Sequence, residues 1–119
     1  MVRIAIKRVY DDFDPEDGYR VLVDRLWPRG VKKEALLCNS WNKDLAPSSE
    51  LRKWVHENKE ERWDLFASLY IKQLGNSKAV DDFLLAIKDY ERVTLLTATK
   101  SMEQNHAGIL KEYVEGLLR

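Results

Sequence analysis

Three consecutive apolar residues, Val21, Leu22 and Val23, follow a turn-forming segment rich in Asp, Pro and Gly. So short an apolar run predicts a β-strand that is covered on both faces, which is typical of parallel sheets. A second strand, rich in residues that favour β-structure, is predicted at 92–98. Because helical patterns separate the two strands, we expect a right-handed crossover and a parallel pair. The sequence therefore predicts an α/β fold.

The other segments predict one more strand and four helices. Apolar and polar residues alternate over 2–7, which indicates a strand with one covered face. Three helices are predicted between 48 and 87, and Ser101 with Gln104 forms a capping box that is expected to open the last helix. We expect the order β-β-α-α-α-β-α in a single domain over 1–119. Its small, mostly parallel sheet is expected to be flanked by helices in a three-layer, Rossmann-like arrangement.

The charge balance excludes several classes of protein. The chain has 119 residues, with 20 Lys and Arg against 20 Asp and Glu. A protein that wraps duplex nucleic acid normally carries a basic excess, so duplex binding is not expected. Disordered chains combine low hydrophobicity with high net charge, whereas 45% of this chain is apolar. A folded protein of no net charge remains.

The sequence also predicts a cytoplasmic location. No apolar run approaches the ~20 residues that span a bilayer, so no membrane association is expected. The first eight residues alternate in character, where a signal peptide would have one apolar stretch. The single cysteine, Cys38, cannot form an internal disulfide, which favours a reducing compartment.

Charge is segregated in the first third of the chain. Five acidic residues lie in 11–17, whereas 18–33 holds five basic residues against Asp24. The basic segment includes Arg25 and Arg29, which follow the covered strand. Lys100 follows the last strand. Ligands of open α/β sheets bind beyond the carboxyl ends of the strands, and guanidinium groups bind phosphate in a two-pronged way.

These strand ends predict a site for a small anionic ligand, most simply a phosphate. Arg25, Arg29 and Lys100 are the expected ligand-binding cations, together with the free N–H groups that begin the last helix. Asp24 and His106 are the candidate acid and base, and Asn105 is a candidate hydrogen-bonding orienter. In the alternative interpretation, Asp24 forms a structural ion pair, Lys100 is ordinary surface, and His106 caps or packs locally.

The sequence offers no recognised metal or cofactor motif. His56 and His106 are far apart in the chain, and with one cysteine they form no ligand spacing typical of zinc. The glycine-rich nucleotide loops and the G-x-S-x-G nucleophile motif are absent from the sequence. No cofactor is therefore expected. His56 is interpreted as a surface residue, and Cys38 as a buried, inert thiol.

Several motifs resemble those of a bacterial family, the YeaO-like proteins in the group called domain of unknown function 488. The matching segments are 19–30 (YRVLVDRLWPRG), 45–48, 50–54, 61–63, 93–96, 105–107 and 110–112. The resemblance implies a compact α/β fold with parallel strands and no established activity. By analogy with longer members, the link at 11–18 is an abbreviated crossover, and the first two strands are expected to be parallel.

The chain departs from the family pattern at two places. Relatives usually read Tyr-Ala-Ala-Lys-Asp where this chain has Thr97-Ala-Thr-Lys-Ser101, so an aromatic residue and an acid are missing. Relatives tend to have His-Asp-Pro where this chain has His56-Glu-Asn58. The first change weakens any mechanism that needs a carboxylate after Lys100.

Three hypotheses about function follow. The first is an enzyme that acts on a phosphate-bearing or other small anionic substrate. The second is a regulatory module that binds an anion or nucleotide without turnover. The third is a protein–protein interaction module whose charged residues form structural ion pairs. The sequence ranks the first slightly above the second and both above the third, and it does not indicate an oligomeric state.

Overall fold

The computed structural model describes residues 2–119. Its strands are β1 (Arg3–Arg8), β2 (Tyr19–Leu22), β3 (Ser40–Trp41) and β4 (Arg92–Thr97), and its helices are α1 (Ser49–Glu57), α2 (Lys59–Gly75), α3 (Lys78–Ile87) and α4 (His106–Leu118). Two 3₁₀ turns, Pro15–Asp17 and Lys43–Leu45, precede β2 and α1. The predicted order of elements is confirmed, with the two-residue β3 as an addition. None of the described helices is both long and apolar enough to cross a membrane.

The four strands form one parallel sheet in the order β1-β4-β2-β3. The last strand in the chain therefore lies in the middle, with Val93 opposite Ile4 of β1 and Leu95 opposite Val21 of β2. The predicted α/β class is confirmed. The first two strands run in the same direction, as expected, but β4 separates them.

Two hydrophobic clusters cover the two faces of the sheet. Successive side chains of a strand point to opposite faces, and accordingly Val21 and Leu95 belong to the larger cluster, while Leu22 and Leu96 belong to the smaller one. All four helices contribute to the larger cluster. The smaller cluster is completed by side chains from 27–41, a segment without long helices. One outer layer is thus helical and the other is mostly irregular chain.

The link between β1 and β2 is held against the sheet by a buried carboxylate. Asp17 forms ion pairs with Arg20, which is buried, and with Lys7, at 3.0 Å. Burial alone would raise the pKa of Asp17, but the hydrogen bonds from Lys7, the Asp14 N–H and Arg20 outweigh it and lower the pKa. Thr94 of β4 donates to the Asp17 carbonyl at 2.8 Å. Part of the acidic segment therefore serves the fold.

Helix α4 begins later than the sequence predicted. Ser101 Oγ does accept a hydrogen bond from the Gln104 N–H at 3.1 Å, but this closes a turn before the helix. The N-cap is Asn105, whose Oδ1 accepts from the Gly108 N–H at 2.9 Å. The prediction that Ser101 opens the helix is therefore wrong. Ser48 and Ser77 cap α1 and α3.

We expect Gly18→Ala to destabilise the protein by about 2–4 kcal/mol. Gly18 has φ of +69°, and a Cβ there would overlap the backbone carbonyl of Arg92 on the central strand. Gly30→Ala is the matched control, because Gly30 has φ of +77° with open space around it and should cost only about 1–2 kcal/mol. Urea unfolding of both variants measures the difference, and equal losses would contradict a steric role for Gly18.

Candidate functional site

A cavity of about 430 Å³ opens at the carboxyl ends of β2 and β4. We call it the crevice. Its walls come from the segment after β2, the segment between β4 and α4, and helices α1 and α2. This is where ligands bind in open parallel sheets, because the strand ends and the loops that follow them meet there. Its volume falls within the range of small-molecule sites, about 300–1,000 Å³.

Asp24 ties the ends of the two central strands together at the crevice. Its Oδ1 accepts from the Thr97 hydroxyl at 2.7 Å, and its Oδ2 accepts from the Ala98 N–H at 2.7 Å. Burial alone would raise the pKa of Asp24, but hydrogen bonds from His106, Ala98 and Thr97 outweigh burial and lower the pKa. Asp24 is therefore held as a carboxylate with both oxygens engaged.

His106 is the first residue of α4 and packs against the same carboxylate. Its Nε2 lies 3.0 Å from the Val23 carbonyl oxygen and 3.2 Å from Asp24 Oδ1. Both partners are acceptors, so Nε2 carries the proton and Nδ1 is the nitrogen left for other chemistry. The Tyr70 ring packs edge-on against the imidazole, with the centroids 6.2 Å apart. This places the two candidate acid–base residues in contact.

The two predicted arginines differ in their surroundings. Arg25 donates from Nε to the Pro47 carbonyl at 3.1 Å and from Nη2 to the Ala46 carbonyl at 3.2 Å. An exposed carboxylate, Asp44, lies 3.8 Å from its Nη1. Arg29 lines the crevice with an exposed side chain, which makes no hydrogen bond or ion pair within 2–119. Arg25 therefore holds a loop in place, whereas Arg29 has its guanidinium available.

The structure separates the two remaining predicted site residues. Asn105 lines the crevice and is buried, but its amide is used by the fold: Oδ1 caps α4, and Nδ2 donates to the Ser101 carbonyl at 2.9 Å. Lys100 is exposed and is not part of the crevice wall. Asp24, Arg25, Arg29, Asn105 and His106 are thus brought together, and Lys100 is not.

Three basic residues that line the crevice were not predicted as site residues. Arg52 and His56 lie on α1, and Lys59 begins α2. The spacing of four residues places Arg52 and His56 on one side of α1, and Lys59 follows the break between the helices at Asn58. The spacing of Arg52 and His56 was a usable signal, but it does not show which surface they meet. His56 is exposed, as the sequence predicted, and it also lines the crevice.

The crevice is electropositive around His56. Burial lowers the pKa of His56, and the positive charges of Arg52, Lys59 and His106 lower it further. Arg52 makes no ion pair among residues 2–119, and Lys59 lies over the Trp63 ring, 5.4 Å from its centroid, rather than near a carboxylate. His56 therefore faces two cations, Arg52 and Lys59, that lack partners of opposite charge in the described chain.

Aromatic rings form much of the remaining wall. Trp27 is held by a hydrogen bond from its Nε1 to the Val31 carbonyl at 2.6 Å and by edge-on packing against Trp41, at 5.3 Å between centroids. Trp63 and Phe66 line the α2 side, with centroids 5.0 Å apart. The crevice thus combines basic groups with fixed, flat apolar surfaces.

Across residues 2–119, no group of three or more His, Cys, Asp or Glu side chains is arranged to hold a metal ion. Asp24 and His106 are two potential ligands, but the Asp24 oxygens are already occupied by Thr97 and Ala98. The groups that the crevice offers to a ligand are therefore basic side chains, one engaged carboxylate and aromatic rings.

We expect Asp24→Asn to destabilise the protein by about 2–3 kcal/mol, because an amide cannot accept all three hydrogen bonds. The stability that the Asp24 carboxylate contributes should be fully present above about pH 4, which is its pKa in the unfolded chain. It should be lost as the pH falls through the lower pKa of Asp24 in the folded protein. Asp44→Asn, at an exposed carboxylate, is the control. Urea unfolding at several pH values measures both. If Asp24→Asn lowers the free energy of unfolding by the same amount at pH 2 as at neutral pH, this account is contradicted.

Comparisons with known proteins agree with the resemblance of the motifs. A family model described as the inactive DUF488-N3 subclade matches residues 3–119. An uncharacterised protein of Mycobacterium tuberculosis is 44% identical over 114 residues, covering 96% of this chain and 95% of the relative. The uncharacterised protein YeaO of Escherichia coli is 40% identical over 116 residues, covering 98% of this chain and all of YeaO. No solved structure matches the chain significantly. The chain belongs to the DUF488 family and matches the subclade described as inactive.

Proposed function

We propose that the protein binds a small anionic ligand, best matched by a phosphate group, in the crevice and does not turn it over. The observation that carries the proposal is the set of basic side chains there, Arg29, Arg52 and Lys59, without carboxylate partners. Asp24 is the one carboxylate of the crevice wall among the described residues, and it is engaged by its own neighbours.

Electrostatics favours an anion at this position. Like charges grouped in a concave, partly apolar site repel one another, and the low-dielectric walls concentrate their field toward the opening. Guanidinium groups bind phosphate through two parallel hydrogen bonds, and an ammonium adds a point charge. Arg29 and Arg52 therefore suit the oxygens of a phosphate, with Lys59 as a further cation.

The engagement of the acid–base candidates argues against turnover. Asp24 uses both oxygens to join β2, β4 and α4, and His106 Nε2 is committed to Val23 and Asp24. The Thr97 hydroxyl on the crevice wall is itself buried and donates to Asp24. The description of the matching subclade as inactive supports the same conclusion. The enzyme hypothesis consequently ranks second.

One observation favours that second candidate, an enzyme on an anionic substrate. The Asp24–His106 contact holds the imidazole through Nε2 and leaves Nδ1 outside that contact, which is how a carboxylate orients a general base. Catalysis would then depend on Nδ1 of His106. If His106→Ala abolishes hydrolysis of a phosphate ester by the protein, the enzyme replaces the binding module as the better description.

We also propose a cytoplasmic location. The support is the single cysteine, Cys38, which has no second cysteine with which to form a disulfide in this chain. Cys38 is partly rather than fully buried, and this burial raises the pKa of its thiol.

We expect inorganic phosphate to bind in the crevice and Arg52→Gln to weaken that binding about tenfold, the loss of one charge-assisted hydrogen bond. Lys53→Gln is the matched control. Lys53 is an exposed neighbour outside the crevice wall, so its substitution removes the same charge without touching the proposed site. Isothermal titration calorimetry measures both. Equal losses in the two variants would reduce the effect to net charge, and no binding by the wild-type protein would refute the proposal.

We expect sulfate affinity to rise as pH falls from about 8 to about 5. Sulfate keeps its charge over this range, so the change reports the protein. The pKa of His56 in the free protein is lowered by burial and by Arg52, Lys59 and His106. A bound anion offsets those charges, favours protonation, and therefore takes up a proton. His56→Gln should flatten the pH dependence of sulfate affinity in calorimetric titrations. An unchanged slope would show that a group other than His56 takes up the proton.

A further inference from the structure

The crevice is much larger than an inorganic anion. A water molecule takes about 30 Å³ of liquid, so a cavity of about 430 Å³ corresponds to roughly a dozen waters. A phosphate ion with its five heavy atoms fills only part of that space. The crevice therefore has room for an organic body beyond the anionic group, and the remaining wall indicates which body it would suit.

Flat rings make up the part of the wall that the anion does not need. Trp27 is fixed by its hydrogen bond to the Val31 carbonyl and by Trp41, and Trp63 is fixed by Phe66. Rings that are already immobilised bind another ring without losing further side-chain freedom, and stacked or edge-on pairs add attraction beyond the burial of area. The wall therefore favours a planar body over a flexible or globular one.

The position of Lys59 sets the distance between the two parts of the ligand. Its Nζ lies over the Trp63 ring, 5.4 Å from the centroid, so a cation and a ring surface adjoin within one wall. A ligand that uses both needs its anionic group directly beside its ring. A long spacer between them would separate one of the two contacts.

We propose that the ligand is a phosphate monoester of an aromatic group, with the phosphate on Lys59, Arg52 and Arg29 and the ring against Trp63. The inference rests on the proposed function, since it names the class of anion that the crevice accepts. It assigns Trp63 as the residue that selects the aromatic body and leaves the recognition of the phosphate to the cations.

Calorimetric titrations of the wild-type protein with inorganic phosphate, cyclohexyl phosphate and phenyl phosphate test the inference. The two esters carry the same anionic group and a six-membered ring, but only phenyl phosphate is flat. Phenyl phosphate is expected to bind about tenfold more tightly than cyclohexyl phosphate, and more tightly than inorganic phosphate. Equal affinities of the two esters would overturn the aromatic assignment.

Two variants locate the selectivity. Trp63→Leu keeps an apolar side chain but removes the ring, and it should reduce the preference for phenyl over cyclohexyl phosphate to within about twofold. Trp54→Leu is the matched control, because Trp54 is also half-buried and carries a cation, Arg62, 4.9 Å above its ring, yet lies outside the crevice wall. Equal effects of the two variants would overturn the role of Trp63.

The outcomes separate the two proposals. If inorganic phosphate binds but phenyl phosphate gains nothing over cyclohexyl phosphate, the anion site remains and the aromatic inference fails. If none of the three compounds binds to the wild-type protein, the proposed function itself fails. Because the ester comparison uses the wild-type chain, it decides the inference even if Trp63→Leu does not fold.

Discussion

The carboxylate of Asp24 is the interaction on which the candidate site depends. It joins the residue after β2 to the end of β4 through Thr97 and Ala98, and it contacts His106 at the start of α4. Buried carboxylates are costly unless their oxygens are satisfied, and here several donors satisfy them. The residue after β2, the end of β4 and the start of α4 are thereby held in one relative position, so this part of the crevice wall is fixed by the fold itself.

Zero net charge conceals an unequal distribution of partners. Two of the five acidic residues at 11–17 are paired with cations, Asp17 with Lys7 and Arg20, and Glu16 with Arg92. Arg29, Arg52 and Lys59 of the crevice wall, in contrast, make no ion pair among the described residues. A neutral sum therefore argues against binding a long polyanion, but it does not argue against a local site for one anionic group.

The strands and most of the strand-end residues could be predicted from the sequence, because parallel strands have a recognisable apolar pattern and their carboxyl ends share one edge. Strand β3 could not, since two residues carry no periodicity. The same limit applies to roles: position places Asn105 near the crevice, but only its hydrogen bonds reveal that its amide caps a helix. The spacing of Arg52 and His56 predicts that they share one side of a helix. It does not predict that this side lines the crevice, because tertiary packing decides that.

The contrast between Asp24 and Arg52 is the reason for proposing that the site binds an anion rather than transforming it. A polar group that is satisfied within the protein stabilises the fold and has little left to exchange with a reacting molecule. A cation held near other cations destabilises the folded state instead, and an anion that binds only the folded protein recovers that free energy. The crevice pairs satisfied acid–base residues with cations that have no carboxylate partner, and this pairing is the physical basis for proposing that a ligand is bound there by charge and shape rather than transformed.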